Sequence, residues 1–247
     1  MNNPGKSVIF MPVFNQIEEF PAVLEDLRSV DLPCDTLLLV NNGSTDGSEG
    51  LVRASGFPYL DLPRNLGIGY SYGTALLWAL ERDCEIFGSM AGNGKMLAQD
   101  METVLNPLLT GRADYVTGSR FLKGGDSPNL PTFRRTSIPM VNVFVKILTG
   151  VTLTDATCGY RAFRLDLIRR AEFDWQAEWL YTYGLEYYLY AKAVLDGGIR
   201  CMEVPVTMRY PPRGKRYSKI SPFVDWWAML KPWIVARFDG KGFRQPC

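Results

Sequence analysis

The stretch Phe87 to Asp100, FGSMAGNGKMLAQD, runs from apolar residues into a glycine-bracketed turn carrying Asn93 and Lys95, with no carboxylate before Asp100. Such a turn, with Gly92 beside Asn93, offers a ligand one amide, backbone N–H groups and one ammonium, a set suited to an anion. The plainer alternative is a solvated turn lysine, with Asp100 capping the next helix.

Other polar groups are spaced along the chain in the same manner. In NNGSTDGS, Asn41 or Asn42 can present an amide that both donates and accepts, which would pair with the imide edge of uracil or thymine. As structure alone, the same segment is a strand-to-helix turn with Ser44 or Thr45 as its cap. PRNLGIGYSYGTAL sets Arg64, Gly67 and Gly69 in a loop resembling a phosphate cradle. Tyr72 occupies the third glycine place of G-x-G-x-x-G, which disfavours a dinucleotide site and leaves close helix–strand packing as an equal reading. Arg120 closes GSR, and Arg134 and Arg135 open a helical stretch, where guanidinium forks and a helix start suit a phosphate. Asp155 in TDATCGYR is either a general base or an organiser of basic side chains. Glu186 in YGLEYY is a further carboxylate, equally explained by pairing with an arginine. Arg209, Arg213, Lys215, Arg216 and Lys219 crowd RYPPRGKRYSKI, by composition a solvated basic loop.

Composition narrows the chemistry. The chain has no histidine, which removes the commonest general base and the commonest transition-metal ligand. Its five cysteines have no close paired spacing, indicating reduced thiols rather than zinc ligands or disulfides. The 27 basic and 26 acidic residues nearly cancel, giving no argument for nucleic acid as a partner. The N-terminus lacks a signal-like apolar region, and no run approaches the roughly 20 residues of a membrane span. The expectation is a cytoplasmic protein, at most resting on the inner face of the cell membrane.

The elements that must position these groups alternate. Short apolar runs at Val8–Met11 (closed by Pro12), Thr36–Val40, Phe57–Leu62, Cys84–Met90 and Ala113–Gly118 read as strands. Helical spacing is expected over Glu18–Val30, Tyr70–Glu81, Asp100–Leu109, Phe133–Leu148 and Trp175–Leu195, with a late strand at Ile199–Pro205. This predicts an α/β fold with a doubly wound, mostly parallel sheet, whose turns at Pro12, Asn41, Gly92 and Ser119 line one cleft. Residues 1–220 form the domain, and 221–247 an aromatic helical tail. Its Trp226, Trp227, Trp233, Phe238 and Phe243, beside Lys231, Arg237, Lys241 and Arg244, suit a membrane interface. Packing onto the domain or a homodimer contact is the competing account.

Taken in order, MPVFNQ, LVNNGSTDGS, RNLGIG, MAGNGK, ADYVTGSRFLKGG, TDATCGYRAFR and EVPVTMRY…SKI resemble the family 2 glycosyltransferases, over about Val8 to Ile220. The likeness is strongest to the branch of polyprenyl- and dolichyl-phosphate sugar synthases. It implies a GT-A fold binding a nucleoside-diphosphate sugar, with Pro12, Phe14 and Asn15 holding the base and ribose. Asn41 and Asn42 stand where the family usually has two aspartates, one of which reads the base. The family's metal-binding Asp-x-Asp falls on Ala91, Gly92 and Asn93, leaving Asn93 as a weak ligand for Mg²⁺ or Mn²⁺. Lys95 is a physical substitute, since an ammonium can neutralise a departing diphosphate without metal. The resemblance further implies that Arg120, Arg134 and Arg135 hold an acceptor phosphate, that Asp155 is the acceptor-site aspartate, and that Ser218 and Lys219, with Arg209 of the same basic loop, belong to a clamp over the diphosphate or lipid phosphate. The expected reaction is inverting transfer from the nucleotide sugar to a polyprenyl phosphate. Transfer to a hydroxyl of a polysaccharide or glycolipid, with Asp155 as base, and non-catalytic binding of a nucleotide sugar are the alternatives.

Overall fold

The computed structural model describes residues 6–211 and 224–244. Seven strands, β1 (Ser7–Val13), β2 (Thr36–Asn41), β3 (Tyr59–Asp61), β4 (Ile86–Ser89), β5 (Tyr115–Ser119), β6 (Arg161–Arg164) and β7 (Cys201–Pro205), form one sheet in the order β3-β2-β1-β4-β6-β5-β7. All pairings are parallel except those of β6, which runs antiparallel between β4 and β5. The fold is the expected α/β, GT-A-like arrangement.

Both faces of the central strands β1, β2 and β4 are buried, which is why these strands are nearly continuously apolar. In β1, Val8 and Phe10 face one hydrophobic cluster while Ile9 and Met11 face the other, following the two-residue period of a strand. The second face is covered by α1 (Phe20–Arg28), α2 (Ser48–Ala54) and α4 (Met101–Leu109). In α1, the predicted Phe20, Val23, Leu24 and Leu27 are its buried residues. The first face carries α3 (Ile68–Leu80), α5 (Thr132–Thr149), the short α6 (Asp166–Arg169), α7 (Gly184–Leu195) and α8 (Val224–Phe238).

Three expectations need correction. Pro12 does not close the first strand: it sits inside β1 in register with Val40, beyond the last β4 partner at Phe10, so its missing N–H costs no ladder bond there. The long helix from Trp175 does not form. A 3₁₀ turn spans Glu178–Leu180 and α7 starts only at Gly184, because the carbonyls of Tyr181 and Thr182 receive the N–H groups of Tyr70 and Gly69. Strand β6 was not foreseen; its four residues, two of them arginines, lack an apolar period.

The tail belongs to the same core. Trp233 has no exposed surface and meets Tyr190 edge-on at 5.4 Å, and Phe243 is buried against Phe173. Lys192 on α7 ties the end of α8 down, donating to the Asp239 carboxylate and to the Lys241 carbonyl at 2.6 Å. Trp233 and Phe243 are therefore not available to a membrane, while Trp227 and Phe238 are exposed. Among the described residues no helix is long and apolar enough to cross a membrane.

Candidate active site

The turn after β4 is pinned from both sides. Met90 N–H donates to Phe10 O at 2.9 Å, and a Cβ on Gly92 would lie 2.8 Å from Pro12 O, so only glycine lets the turn approach the end of β1 so closely. Beyond it, Arg209 N–H donates to Lys95 O at 2.8 Å. Asn93 Oδ1 accepts from Lys95 N–H at 3.3 Å, so the amide oxygen braces the turn itself. Asp100 stands at the N-cap position of α4 but makes no side-chain capping bond; its Oδ2 accepts from Thr207 N–H at 2.6 Å. Among the described residues no group of three or more Asp, Glu, Cys or His could hold a metal ion. One neutral amide with its oxygen already engaged does not fit the oxygen-rich shell of Mg²⁺ or Mn²⁺.

Beside this turn lies a cationic centre. Asp155, fully buried, holds Arg120 through both oxygens, with Nε–Oδ2 and Nη2–Oδ1 each 2.6 Å. Arg120 also donates to Tyr210 Oη at 2.5 Å and Thr157 Oγ1 at 2.6 Å. Burial alone would lower the Arg120 pKa, but the Asp155 hydrogen bonds and charge outweigh it and the net shift is upward. Asp155 thus has no exposed surface, and both of its oxygens are engaged by one guanidinium. Lys95 Nζ lies 5.9 Å and the Arg134 guanidinium 6.0 Å from the Tyr210 ring centre. Desolvation, followed by repulsion from Arg134 and Arg120, lowers the Lys95 pKa to about 8 despite the opposing charge of Glu19. Of these cations it is Lys95, the one desolvated between two guanidinium groups, whose charged form is disfavoured.

At the β2 and β3 ends an open cleft of about 590 Å³ is lined by Phe14, Asn41, Thr45, Asp61, Arg64 and Asn65, among others. Of Asn41 and Asn42, either of which was expected to present an amide to a ligand, Asn41 lines the cleft, and both side chains are largely buried and bonded within the protein. Asn41 donates to Asp61 Oδ1 at 2.9 Å and accepts from Ser44 N–H at 3.0 Å. Asn42 donates to Asn65 Oδ1 and accepts from Leu66 N–H, each at 3.1 Å. A carboxylate at the cleft is supplied by Asp61, which is held by Asn41 and by Arg53 Nε at 2.9 Å, alongside Glu49, Arg53 and Arg64. Sequence reasoning missed Asp61, whose only signal was its place at a strand end just before PRN. Asn15, with φ +50°, latches the two neighbouring turns: its N–H donates to Ser44 Oγ at 3.1 Å and its Oδ1 accepts from Thr45 N–H at 2.8 Å. The start of α2 is organised by Asp46, which accepts from Ser48 N–H and Oγ, rather than by Ser44 or Thr45.

Gly69 is not a phosphate ligand. Its N–H donates to Thr182 O at 2.6 Å, and a Cβ there would lie 1.9 Å from Leu180 O, so the glycine-rich loop serves the packing of α3 on the segment before α7. Arg135 and the Arg209 side chain are exposed. Glu186 pairs with the buried Arg161 at 3.2 Å, and desolvation raises its carboxyl pKa against the arginine's pull. Arg213, Lys215, Arg216, Ser218 and Lys219 lie outside the described residues. The structure thus brings together Lys95, Arg120, Arg134 and Asp155, and it sets Phe14, Asn41 and Arg64 around a neighbouring cleft, with Asn15 bonded to its rim residues Ser44 and Thr45.

Residues 8–171 match the family described as Glycosyl transferase family 2. The undecaprenyl-phosphate mannosyltransferase of Micrococcus luteus is 30% identical over 238 residues, covering 93% of this chain and 95% of its own. The polyprenol monophosphomannose synthase of Mycolicibacterium smegmatis is 25% identical, covering 87% of this chain and 81% of its own. In fold, the chain resembles glucosyl-3-phosphoglycerate synthase of Mycobacterium tuberculosis, solved with Mn²⁺, uridine-diphosphate-glucose and phosphoglyceric acid. The TM-score is 0.68 at 17% identity, over 94% of this chain and 78% of that one.

Proposed function

The chain belongs to glycosyl transferase family 2 and is a glycosyltransferase; from that premise we propose that it moves a sugar from a nucleoside diphosphate to a polyprenyl phosphate, inverting the anomeric carbon. The observation that carries the choice of acceptor is the Arg120–Asp155 pair. A hydroxyl acceptor needs a base, and the acceptor-site aspartate is sealed under a guanidinium. A phosphate acceptor is already an anion and needs none. Lys95 and Arg134 supply the cationic wall such an acceptor requires, and the relatives act on prenyl phosphates by name.

In this reading the base and ribose occupy the cleft at Phe14, Asn15 and Asp61, and the diphosphate lies against the turn carrying Gly92 and Lys95. The acceptor phosphate rests at Arg134, over the Tyr210 ring that Arg120 holds. An acceptor phosphate oxygen attacks the anomeric carbon in line. The new O–C bond forms as the bond to the diphosphate breaks, and the electron pair leaves with the nucleoside diphosphate. One negative charge passes from acceptor to leaving group, and no proton moves. Positioning two anions against repulsion is the main task, which fixed cations perform. The exposed Trp227 and Phe238 are the residues of the tail that would touch a membrane surface carrying the acceptor.

The test is incubation of the protein with labelled sugar nucleotides and, separately, a prenyl phosphate or oligosaccharides. Label transferred to the lipid phosphate supports the reading. Label found only on a sugar hydroxyl sinks it, and nucleotide-sugar binding without turnover on any acceptor would favour a non-catalytic binder.

A further inference from the structure

We infer that Lys95 takes the place of a divalent cation, so that the charge gained by the departing nucleoside diphosphate is met by a fixed ammonium held in the turn after β4. The inference rests on the nucleoside-diphosphate reading and deepens it. Three structural facts point to it. The turn from Met90 to Lys95 contains no acid, and its single side-chain oxygen, Asn93 Oδ1, is engaged by Lys95 N–H. No metal-holding cluster of acids or cysteines exists among the described residues. The turn is also rigidly placed: Gly92 is jammed against Pro12 O, and Lys95 O is bonded to Arg209 N–H. Lys95 therefore sits in the turn after β4, a strand that lies in the sheet between β1–β3 and β5–β7, and shares the Tyr210 ring with Arg134.

The chemistry balances without a metal. As the bond from the anomeric carbon to the diphosphate oxygen breaks, the leaving group gains one negative charge, and one protonated ammonium beside it offsets that charge without giving up its proton. A half-buried cation acts more strongly than one in water, since less solvent screens it. The neighbouring Arg134 keeps the site cationic when the acceptor arrives.

The experiment measures calorimetric binding of GDP and of UDP, each with EDTA and with MnCl₂, to the wild-type protein and to Lys95→Met, which keeps the aliphatic stem and so the packing. For the nucleotide bound better, Mn²⁺ should change the wild-type affinity by less than about threefold, while Lys95→Met should weaken it about tenfold or more. Turnover should persist in EDTA. A second variant, Ala91→Asp with Asn93→Asp in the Lys95→Met background, should regain binding only when Mn²⁺ is present. Tenfold tighter wild-type binding with Mn²⁺, or unchanged binding in Lys95→Met, overturns the inference and leaves the glycosyl-transfer reading standing. If neither nucleotide binds under any condition, the nucleoside-diphosphate reading falls and the inference with it.

Discussion

Lys95 and Arg134 approach the same ring, that of Tyr210, from 5.9 and 6.0 Å, although one lies in the turn after β4 and the other in the first turn of α5. The ring is fixed in turn by Arg120, which donates to its hydroxyl. Three cations are thus arranged about one aromatic group, and the desolvation of Lys95, reinforced by the two guanidinium charges, gives the site a measurable pH dependence.

Lys95 has its pKa lowered to about 8, below the ordinary lysine value of 10.5. The unfolded chain binds more protons than the folded one between these values, so the penalty of holding Lys95 charged is complete below pH 8 and relieved as pH rises towards 10.5. Two outcomes are expected. The contribution of Lys95 to stability improves with pH in that window, and kcat/KM falls as pH rises through about 8, because the free enzyme loses its ammonium. A Lys95→Arg variant should move the falling limb to higher pH. A limb at the same pH in that variant would assign it to another group.

Asp155→Ala should cost about 3–5 kcal/mol in urea unfolding, because it leaves the Arg120 guanidinium buried without its counter-charge. Arg120→Lys, which keeps the charge and loses the fork, should be milder in stability yet still weaken the hold on Tyr210. A destabilisation below about 1 kcal/mol for Asp155→Ala would show that solvent reaches the pair.

Asp61→Ala should weaken nucleotide binding about tenfold while leaving the fold intact, since the carboxylate lines the cleft and its ion pair with Arg53 is largely exposed. Asn41→Ala should weaken binding less, acting through the orientation of Asp61. Titration with GDP and UDP checks both, and equal affinity in all three proteins would remove Asp61 from the site.

Gly69→Ala places a methyl group 1.9 Å from the Leu180 carbonyl and should lower stability by about 3 kcal/mol. Its effect should appear in thermal unfolding. Nucleotide affinity measured well below the transition should stay near wild type, which separates a packing glycine from a phosphate-binding one.

Trp233→Ala should cost about 3–5 kcal/mol, as for other large core truncations, because the tail is part of the core on the α7 face. Trp227→Ala should leave stability nearly unchanged and lower association with lipid vesicles, if the exposed part of α8 meets a surface. Loss of neither property would confine α8 to a structural role.

Much of the architecture was legible because its cause is local. Apolar runs ending in glycine, asparagine or proline mark parallel strands wherever both sheet faces are covered, and five early strands were found at nearly their observed bounds. Helix α1 shows its buried face directly in its spacing. Strand β6 was not legible, because it draws its stability from β4 and β5 on either side rather than from its own pattern.

The sequence by itself determined the class of fold, the alternation of its first five strands with helices and the residue types at their ends, including an acid-free turn that carries Lys95. Only the tertiary structure decided which of those polar groups are already spent. Asn41 is taken by Asp61, Asp155 by Arg120 across 35 residues, and Gly69 by Thr182, each through a partner far along the chain. A hydrogen-bonding group shows its chemistry in its name, but its availability depends on what the fold places within about 3 Å of it, and that distance is set by packing.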